Sequence, residues 1–228
     1  HTVPINTMIG GGKIPRPGEI SLAHCGVLFL DELTEFNRNI LESLREPLEN
    51  REITINRLSG NYRYPCNFMF VASMNPCPCG YYGDEEKECR CTPQEIHRYL
   101  RKISGPLLDR IDIQVEVQRP KYKKIFSKEK VENSAIIQER VNKARQIQLS
   151  RYRKYQIHSN AEITTKMIAQ FCRLDNEGEE LLQNAFKIFK LSVRAYEKIL
   201  KVARTIADLD GKENIKSLFF SSYISFGI

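Results

Sequence analysis

The sequence predicts an α/β protein, a parallel-sheet core followed by an all-helical domain, and three observations carry that expectation. Short apolar runs at residues 27–30 and 68–74 have the pattern of strands buried on both faces. Helical stretches at 38–50 and 93–103 alternate with them, which argues for parallel pairing. After Pro120 the apolar residues keep a 3.6-residue spacing almost throughout. The boundary near Arg119 and Pro120 divides the chain into a core over residues 1–118 and a helical domain over 119–228.

Each element has its own signature. Gly26 and a pair of acids bound the first strand. Residues 51–58 and 62–65 alternate on either side of Ser59-Gly60-Asn61, the signature of a β-hairpin. Residues 111–117 alternate with period two and predict a strand with one wetter face. In the helical domain Ile136, Ile137, Val141, Ala144, Ile147 and Gln148 form one stripe. Ile163, Met167, Ile168 and Phe171 form a second; Leu181, Leu182, Ala185, Phe186 and Phe189 a third; Ile199, Val202, Ala203 and Ile206 a fourth. Four such stripes predict a bundle packed as a lid on the core.

Composition narrows the class. With 41% hydrophobic and 28% charged residues, the 228-residue chain is neither disordered nor collagen-like. No run approaches the roughly 20 apolar residues of a membrane span. The chain begins at His1 with no signal-peptide pattern, which predicts a piece starting inside a longer protein. Seven cysteines without a secretory signal point to a reducing, cytoplasmic setting. Of the net charge of +7, residues 119–155 hold 12 basic and 3 acidic side chains, the footprint of a phosphate-rich partner or of a solvated helix face.

The chemistry starts at Gly26-Val27-Leu28-Phe29-Leu30-Asp31-Glu32, a buried strand ending in two carboxylates. Ligands of open α/β sheets bind at such strand ends. This is the shape of a Walker B strand, in which Asp31 holds the Mg²⁺ of a nucleotide and Glu32 polarises water as general base. Capping of the following helix is the plainer alternative. At the end of the next strand, Asn75 has an amide able to orient a water against a γ-phosphate, or is a turn residue before Pro76. Arg110, after Gly105-Pro106-Leu107-Leu108-Asp109, fits an arginine finger, or a salt bridge to Asp109 or Asp112. Arg194 lies in the first turn of a helix that Ser192 caps, where it would contact phosphate, or is a surface arginine.

These features in this order resemble the magnesium-chelatase-like AAA+ ATPases. Asn75-Pro76-Cys77-Pro78-Cys79-Gly80, Ser104-Gly105-Pro106-Leu107-Leu108-Asp109-Arg110-Ile111-Asp112 and Ser192-Val193-Arg194-Ala195-Tyr196 narrow the likeness to the ComM (YifB-like) competence branch. The resemblance implies a P-loop core, truncated at its N-terminus, with a helical lid. It implies an ATP- and Mg²⁺-dependent homo-oligomer, a hexameric ring, migrating branched or single-stranded DNA during uptake and recombination. No membrane partner is implied. It assigns Arg194 the sensor 2 role and residues 51–65 the place of a pre-sensor hairpin pointing into the pore. Arg57 and Arg63, with Tyr62, would there meet phosphates and bases, unless the hairpin merely packs.

Two departures qualify it. Gly10-Gly11-Gly12-Lys13 is followed by Ile14-Pro15, so no Gly-x-x-x-x-Gly-Lys-[Ser/Thr] phosphate loop is present, and the chain alone should hydrolyse essentially no ATP. Residues 218–228 do not look like the family's final helix. Separately, Cys77-Pro78-Cys79 and Cys89-Arg90-Cys91 offer four thiolates for a structural Zn²⁺, with disulfides or plain thiols as alternatives. Cys25, Cys66 and Cys172 read as buried core thiols. Two rival functions remain: a chelatase subunit driving Mg²⁺ insertion into a porphyrin, and a non-enzymatic zinc-stabilised docking module.

Overall fold

The computed structural model describes residues 3–58, 60–119 and 132–216. The chain divides into two compact units, His1–Ile111 and Asp112–Ile228. Residues 120–131 of the basic stretch, the hairpin residue Ser59 and the divergent ending at 218–228 lie outside the described residues.

The first unit opens with α1 (Ile5–Ile9) and a two-stranded antiparallel ribbon, β1 (Gly10–Gly11) with β2 (Arg16–Pro17). Gly10 and Gly18 pass so close that a side chain would not fit: a Cβ on Gly10 would lie 2.3 Å from the Arg16 carbonyl oxygen, and one on Gly18 2.4 Å from the Gly10 nitrogen. Gly10 therefore serves a tight ribbon and not a loop opening a helix, while Gly18 is the N-cap of the short helix that follows. After α2 (Glu19–Leu22) comes β3 (Val27–Leu30), then α3 (Arg38–Ser43) and α4 (Arg45–Asn50). Arg51, in the left-handed region at φ +57°, turns the chain into the hairpin β4 (Glu52–Arg57) and β5 (Gly60–Pro65). β6 (Met69–Ala72) returns to pair with β3, and α5 (Pro93–Leu100) and α6 (Gly105–Leu108) follow. Thr92 and Glu95 close a reciprocal cap on α5, with Pro93 at the first turn where a missing N–H costs nothing.

β3 and β6 are parallel, Val27 opposite Met69 and Leu30 opposite Ala72. Leu28 and Leu30 pack into a core with Ile20, Leu33, Ile40, Leu41, Leu44 and Leu107. The opposite face is not buried: Val27 and Phe29 are each 58% exposed, and Met69 and Val71 beside them are exposed too. An apolar run reports hydrophobicity on both faces, but only one face of this two-stranded sheet is covered by helices among the described residues. The expected strand at 111–117 is likewise absent, and Ile113, Val115 and Val117 are exposed. Alternation makes a strand only where a neighbouring edge accepts its hydrogen bonds, and this segment pairs with none among the described residues. Cys66 and Cys172 are buried as expected, and burial pushes each thiol up to about 11. Cys25 is exposed instead, at φ +60° in the turn before β3, where its N–H bonds the Asn67 carbonyl at 2.7 Å.

The second unit is helical: α7 (Ser134–Arg151), α8 (Thr165–Phe171), α9 (Asn176–Phe189) and α10 (Val193–Leu209). Side-chain caps start three of them, Asn133 for α7, Asp175 for α9 and Ser192 for α10. Ile163, Ile168, Leu182, Ile199, Leu200 and Ala203 form the core. The stripe expected on α7 is buried only at Ala144 and Gln148; Ile136, Ile137, Val141 and Ile147 are exposed. A polar network anchors the C-terminal end of α7. Asp208, fully buried, accepts both guanidinium groups of Arg151 and Arg204, the latter at 3.0 Å, and the Asn160 amide at 2.8 Å. No helix among the described residues is long and apolar enough to cross a membrane.

Removing one member of a buried ion network strands the others without a counter-charge. Asp208→Asn should therefore lower the stability of the helical unit by about 3 kcal/mol, seen as a lower midpoint in urea denaturation followed by circular dichroism; an unchanged midpoint would contradict this account of the network.

Candidate functional site

Parallel pairing delivers the ends of β3 and β6 to one edge of the sheet. The ladder runs on past the strands, Ser73 N–H donating to the Leu30 carbonyl at 3.0 Å and Leu33 N–H to that of Ser73 at 2.8 Å. Asp31 and Ser73 thus face each other, and the Ser73 hydroxyl donates to Asp31 Oδ1. Glu32 N–H donates to the same Oδ1 at 3.1 Å and lies 3.4 Å from Ser73 Oγ. Both bonds to Asp31 fall on Oδ1. Glu32 adopts φ +52°, ψ +54°, a left-handed conformation that costs a non-glycine residue roughly 1–2 kcal/mol and that folds retain where a side chain must be placed.

Glu32 and Asn75 line one cavity of about 470 Å³. Its other walls include Glu35 and four residues on or near α5: Glu95, Arg98, Tyr99 and Lys102. Lys102 pairs loosely with Glu35 at 3.7 Å. Glu95 is engaged by its cap, and the Thr92 N–H and hydroxyl hold its carboxyl below the usual range. The structure therefore brings Glu32 and Asn75 to one cavity, with Asp31, next to Glu32 in the chain, bonded to Ser73. It adds Ser73, Arg98 and Lys102, which sequence reasoning missed. The signal for Ser73 was its place directly after a strand that pairs with β3, and for the two cations their closeness in sequence at the end of α5, Arg98 in its last turn and Lys102 just beyond it.

Arg110 is held inside its own unit. Its guanidinium donates to the Arg45 carbonyl at 3.1 Å, to the Pro106 carbonyl at 2.6 Å and to Glu49, and its side chain is 13% exposed. The acid it pairs with is therefore Glu49, 61 residues upstream, which no local spacing discloses. Arg194 is exposed in the first turn of α10, above the Ser192 cap, whose hydroxyl accepts from Ala195 N–H at 3.1 Å.

The hairpin sorts its side chains by parity. Tyr62 lies opposite Ile55 and Tyr64 opposite Ile53, so both tyrosines share the face of two buried isoleucines. Arg63 lies opposite Thr54 on the other face, exposed and 3.9 Å from Glu52. Arg57 shares the isoleucine parity and its guanidinium lies against Gly11. Arg57 and Arg63 are thus on opposite faces of the hairpin, and Tyr62 is not beside Arg63.

The four clustered cysteines converge. Every Sγ of Cys77, Cys79, Cys89 and Cys91 lies within 4.8 Å of every other, with 3.3 Å between Cys77 and Cys79, 3.5 Å between Cys79 and Cys89, and 3.7 Å between Cys77 and Cys89. A tetrahedron of zinc–sulfur bonds of about 2.3 Å has edges of roughly 3.8 Å, so the four thiols fit that ion closely. Left to themselves they cannot all ionise. The Tyr81 N–H draws the Cys79 thiol down to about 6, whereas loss of hydration pushes Cys91 up to about 12. A divalent cation would resolve that conflict.

Residues 1–125 match the family model for magnesium chelatase, subunit ChlI, and residues 131–222 match the model for the C-terminal part of that subunit. The chain is 44% identical over 228 residues to the uncharacterised protein YifB of Escherichia coli, covering 99% of this chain and 44% of YifB. It is 45% identical over 216 residues to competence protein ComM of Haemophilus influenzae, covering 94% of this chain and 41% of ComM. It is 31% identical over 111 residues to the magnesium-chelatase 38 kDa subunit of Cereibacter sphaeroides, covering 49% of this chain and 27% of that subunit. The chain thus spans less than half the length of these relatives.

The bonds of Arg110 have a measurable weight. Because Glu49 is partly exposed, Arg110→Ala should cost about 1–2 kcal/mol, and Arg110→Lys most of the same, since an ammonium cannot span three acceptors. Denaturation midpoints indistinguishable from the parent's would show that these bonds are not maintained in solution.

Proposed function

The chain belongs to the magnesium-chelatase family, and from that premise we propose that it is part of an ATP-hydrolysing AAA+ ring motor acting on DNA. The observation that carries the reading is the shared edge of β3 and β6, where Asp31 and Glu32 follow one strand and Asn75 follows the other, with Glu32 and Asn75 lining one cavity. Asp31 suits a hard divalent cation, being a carboxylate with one oxygen engaged by Ser73 and Glu32 and the other available. Bound Mg²⁺ would supply the positive charge that offsets negative charge on a transferring phosphoryl group. Glu32 takes the proton of the attacking water, and the Asn75 amide orients that water. Arg110 completes the site of the neighbouring subunit, which requires it to leave Glu49. Arg194 contacts phosphate from the lid.

The partner is branched or single-stranded DNA, the assembly a homo-hexameric ring and the setting the cytoplasm, with a role in uptake and recombination of transforming DNA. Likeness to ComM over both units supports this reading above that of a porphyrin chelatase subunit. Arg57 and Arg63, lying on opposite faces, would reach phosphates from two sides of the hairpin; Tyr62 would support Arg57 from the same face. Cys77, Cys79, Cys89 and Cys91 hold a structural Zn²⁺, which closes the loop that follows Asn75 where no hydrophobic core is available.

Two outcomes follow. In the intact protein, Glu32→Gln should bind ATP with the parent's affinity yet hydrolyse it about 10²–10⁴ times more slowly; retention of turnover would remove Glu32 as the base. Elemental analysis should find one zinc per chain, lost in Cys89→Ser together with protease resistance of the loop at 77–91. Four thiols freely titratable in metal-free, equally resistant protein would refute the zinc assignment.

A further inference from the structure

A second concave surface adjoins the carboxylate cavity on the other side of α5. It is a cleft of about 650 Å³ whose walls include Phe36, Arg38, His97, Arg98, Arg101 and Lys102. Arg98 and Lys102 line both cavities, so one pair of cations separates them. All five nitrogenous side chains are exposed, and Phe36 is half-buried. Among the described residues Lys102 is the one of these cations in an ion pair, to Glu35 at 3.7 Å.

Helix electrostatics explain only part of this arrangement. Arg98, Arg101 and Lys102 sit at the C-terminal end of α5, where a cation offsets the helix dipole. Arg38 sits at the first position of α3, where the dipole disfavours a cation. A concave surface that draws cations from both helix senses is arranged for an anion brought from outside. Its cations are long and exposed, and the Phe36 and His97 rings line the same cleft. No glycine lines the cleft to offer the close backbone cradle that holds a compact triphosphate. Dispersed charge with aromatic surface is the chemistry that tracks a single nucleic-acid strand, phosphates on arginine and lysine and bases on rings.

We propose that this cleft, between α3 and α5, binds the phosphodiester backbone of a single DNA strand. The assignment rests on the DNA-motor reading and gives it a contact surface separate from the hairpin. Its position also means that a strand in the cleft would meet Arg98 and Lys102, the same side chains that line the cavity of Glu32.

The test is fluorescence anisotropy of the intact protein with a labelled 20-nucleotide oligo(dT), titrated between 50 and 200 mM salt. Arg38→Gln with Arg101→Gln alters exposed side chains that do not line the Glu32 cavity, so the melting temperature should not move. Losing two single-strand phosphate contacts should make the slope of log K against log salt shallower by about 1.4, and the double lysine variant should restore most of it. Parental binding of oligo(dT) with an unchanged slope in the glutamine variant would overturn the cleft assignment while leaving the DNA reading intact. Failure of the parent itself to bind oligo(dT) would overturn the cleft assignment, and failure to bind forked DNA as well would overturn the DNA reading. A variant that keeps its oligo(dT) affinity but loses ATP affinity would reassign the cleft to a mononucleotide.

Discussion

The candidate site depends on one constraint, the parallel register that sets Leu30 opposite Ala72. Parallel strands cannot be joined by a tight turn, so the chain leaves β3, builds two helices and a hairpin, and returns to lay β6 alongside. Because both strands run the same way, both leave the sheet at the same edge. The residues that follow them, Asp31-Glu32 and Ser73-Met74-Asn75, are therefore neighbours however distant in sequence. A slip of one residue would turn Ser73 away from Asp31 and exchange the buried pair Leu28 and Leu30 for Val27 and Phe29. The core contacts of Leu28 and Leu30 thus hold the register, and the register holds the carboxylates.

What could be read from the sequence follows the same division between pattern and partner. The two short strands, the hairpin and the helix start at Ser192 were legible because each is decided by local chemistry; the caps at Asn133 and Asp175 were not read. The triple glycine was legible as something other than a phosphate loop because Ile14-Pro15 follows it. That Asp31, Glu32 and Asn75 follow the two apolar strands was legible from the runs that precede them. What escaped are features decided by what lies opposite. Periodicity cannot say that Val27 and Phe29 lack a cover, that residues 111–117 lack a pairing edge, or that Ile136, Ile137 and Val141 face outward. Glu49 as the partner of Arg110 and Ser73 as the partner of Asp31 are contacts of long sequence separation. The opposed faces of Arg57 and Arg63 follow from the Arg57–Gly60 register, which the composition of the turn does not disclose.

Residues 76–92 join these parts without a core of their own. They lead from Asn75 through four converging thiols to the cap of α5, and α5 presents Arg98 and Lys102 to the Glu32 cavity on one side and to the basic cleft on the other. Such a segment is positioned by bonds and caps, namely the Thr92–Glu95 reciprocal pair and the sulfur cluster. A change in the loop would be felt both at Asn75 and at the cationic wall facing it.

The most direct test of the central claim is the rate of ATP hydrolysis by the intact protein with and without forked DNA. A motor whose hydrolytic residues sit at the shared edge of β3 and β6 should turn over faster when forked DNA is added. Turnover that is the same with every DNA offered, or nucleotide bound without any turnover, would contradict it.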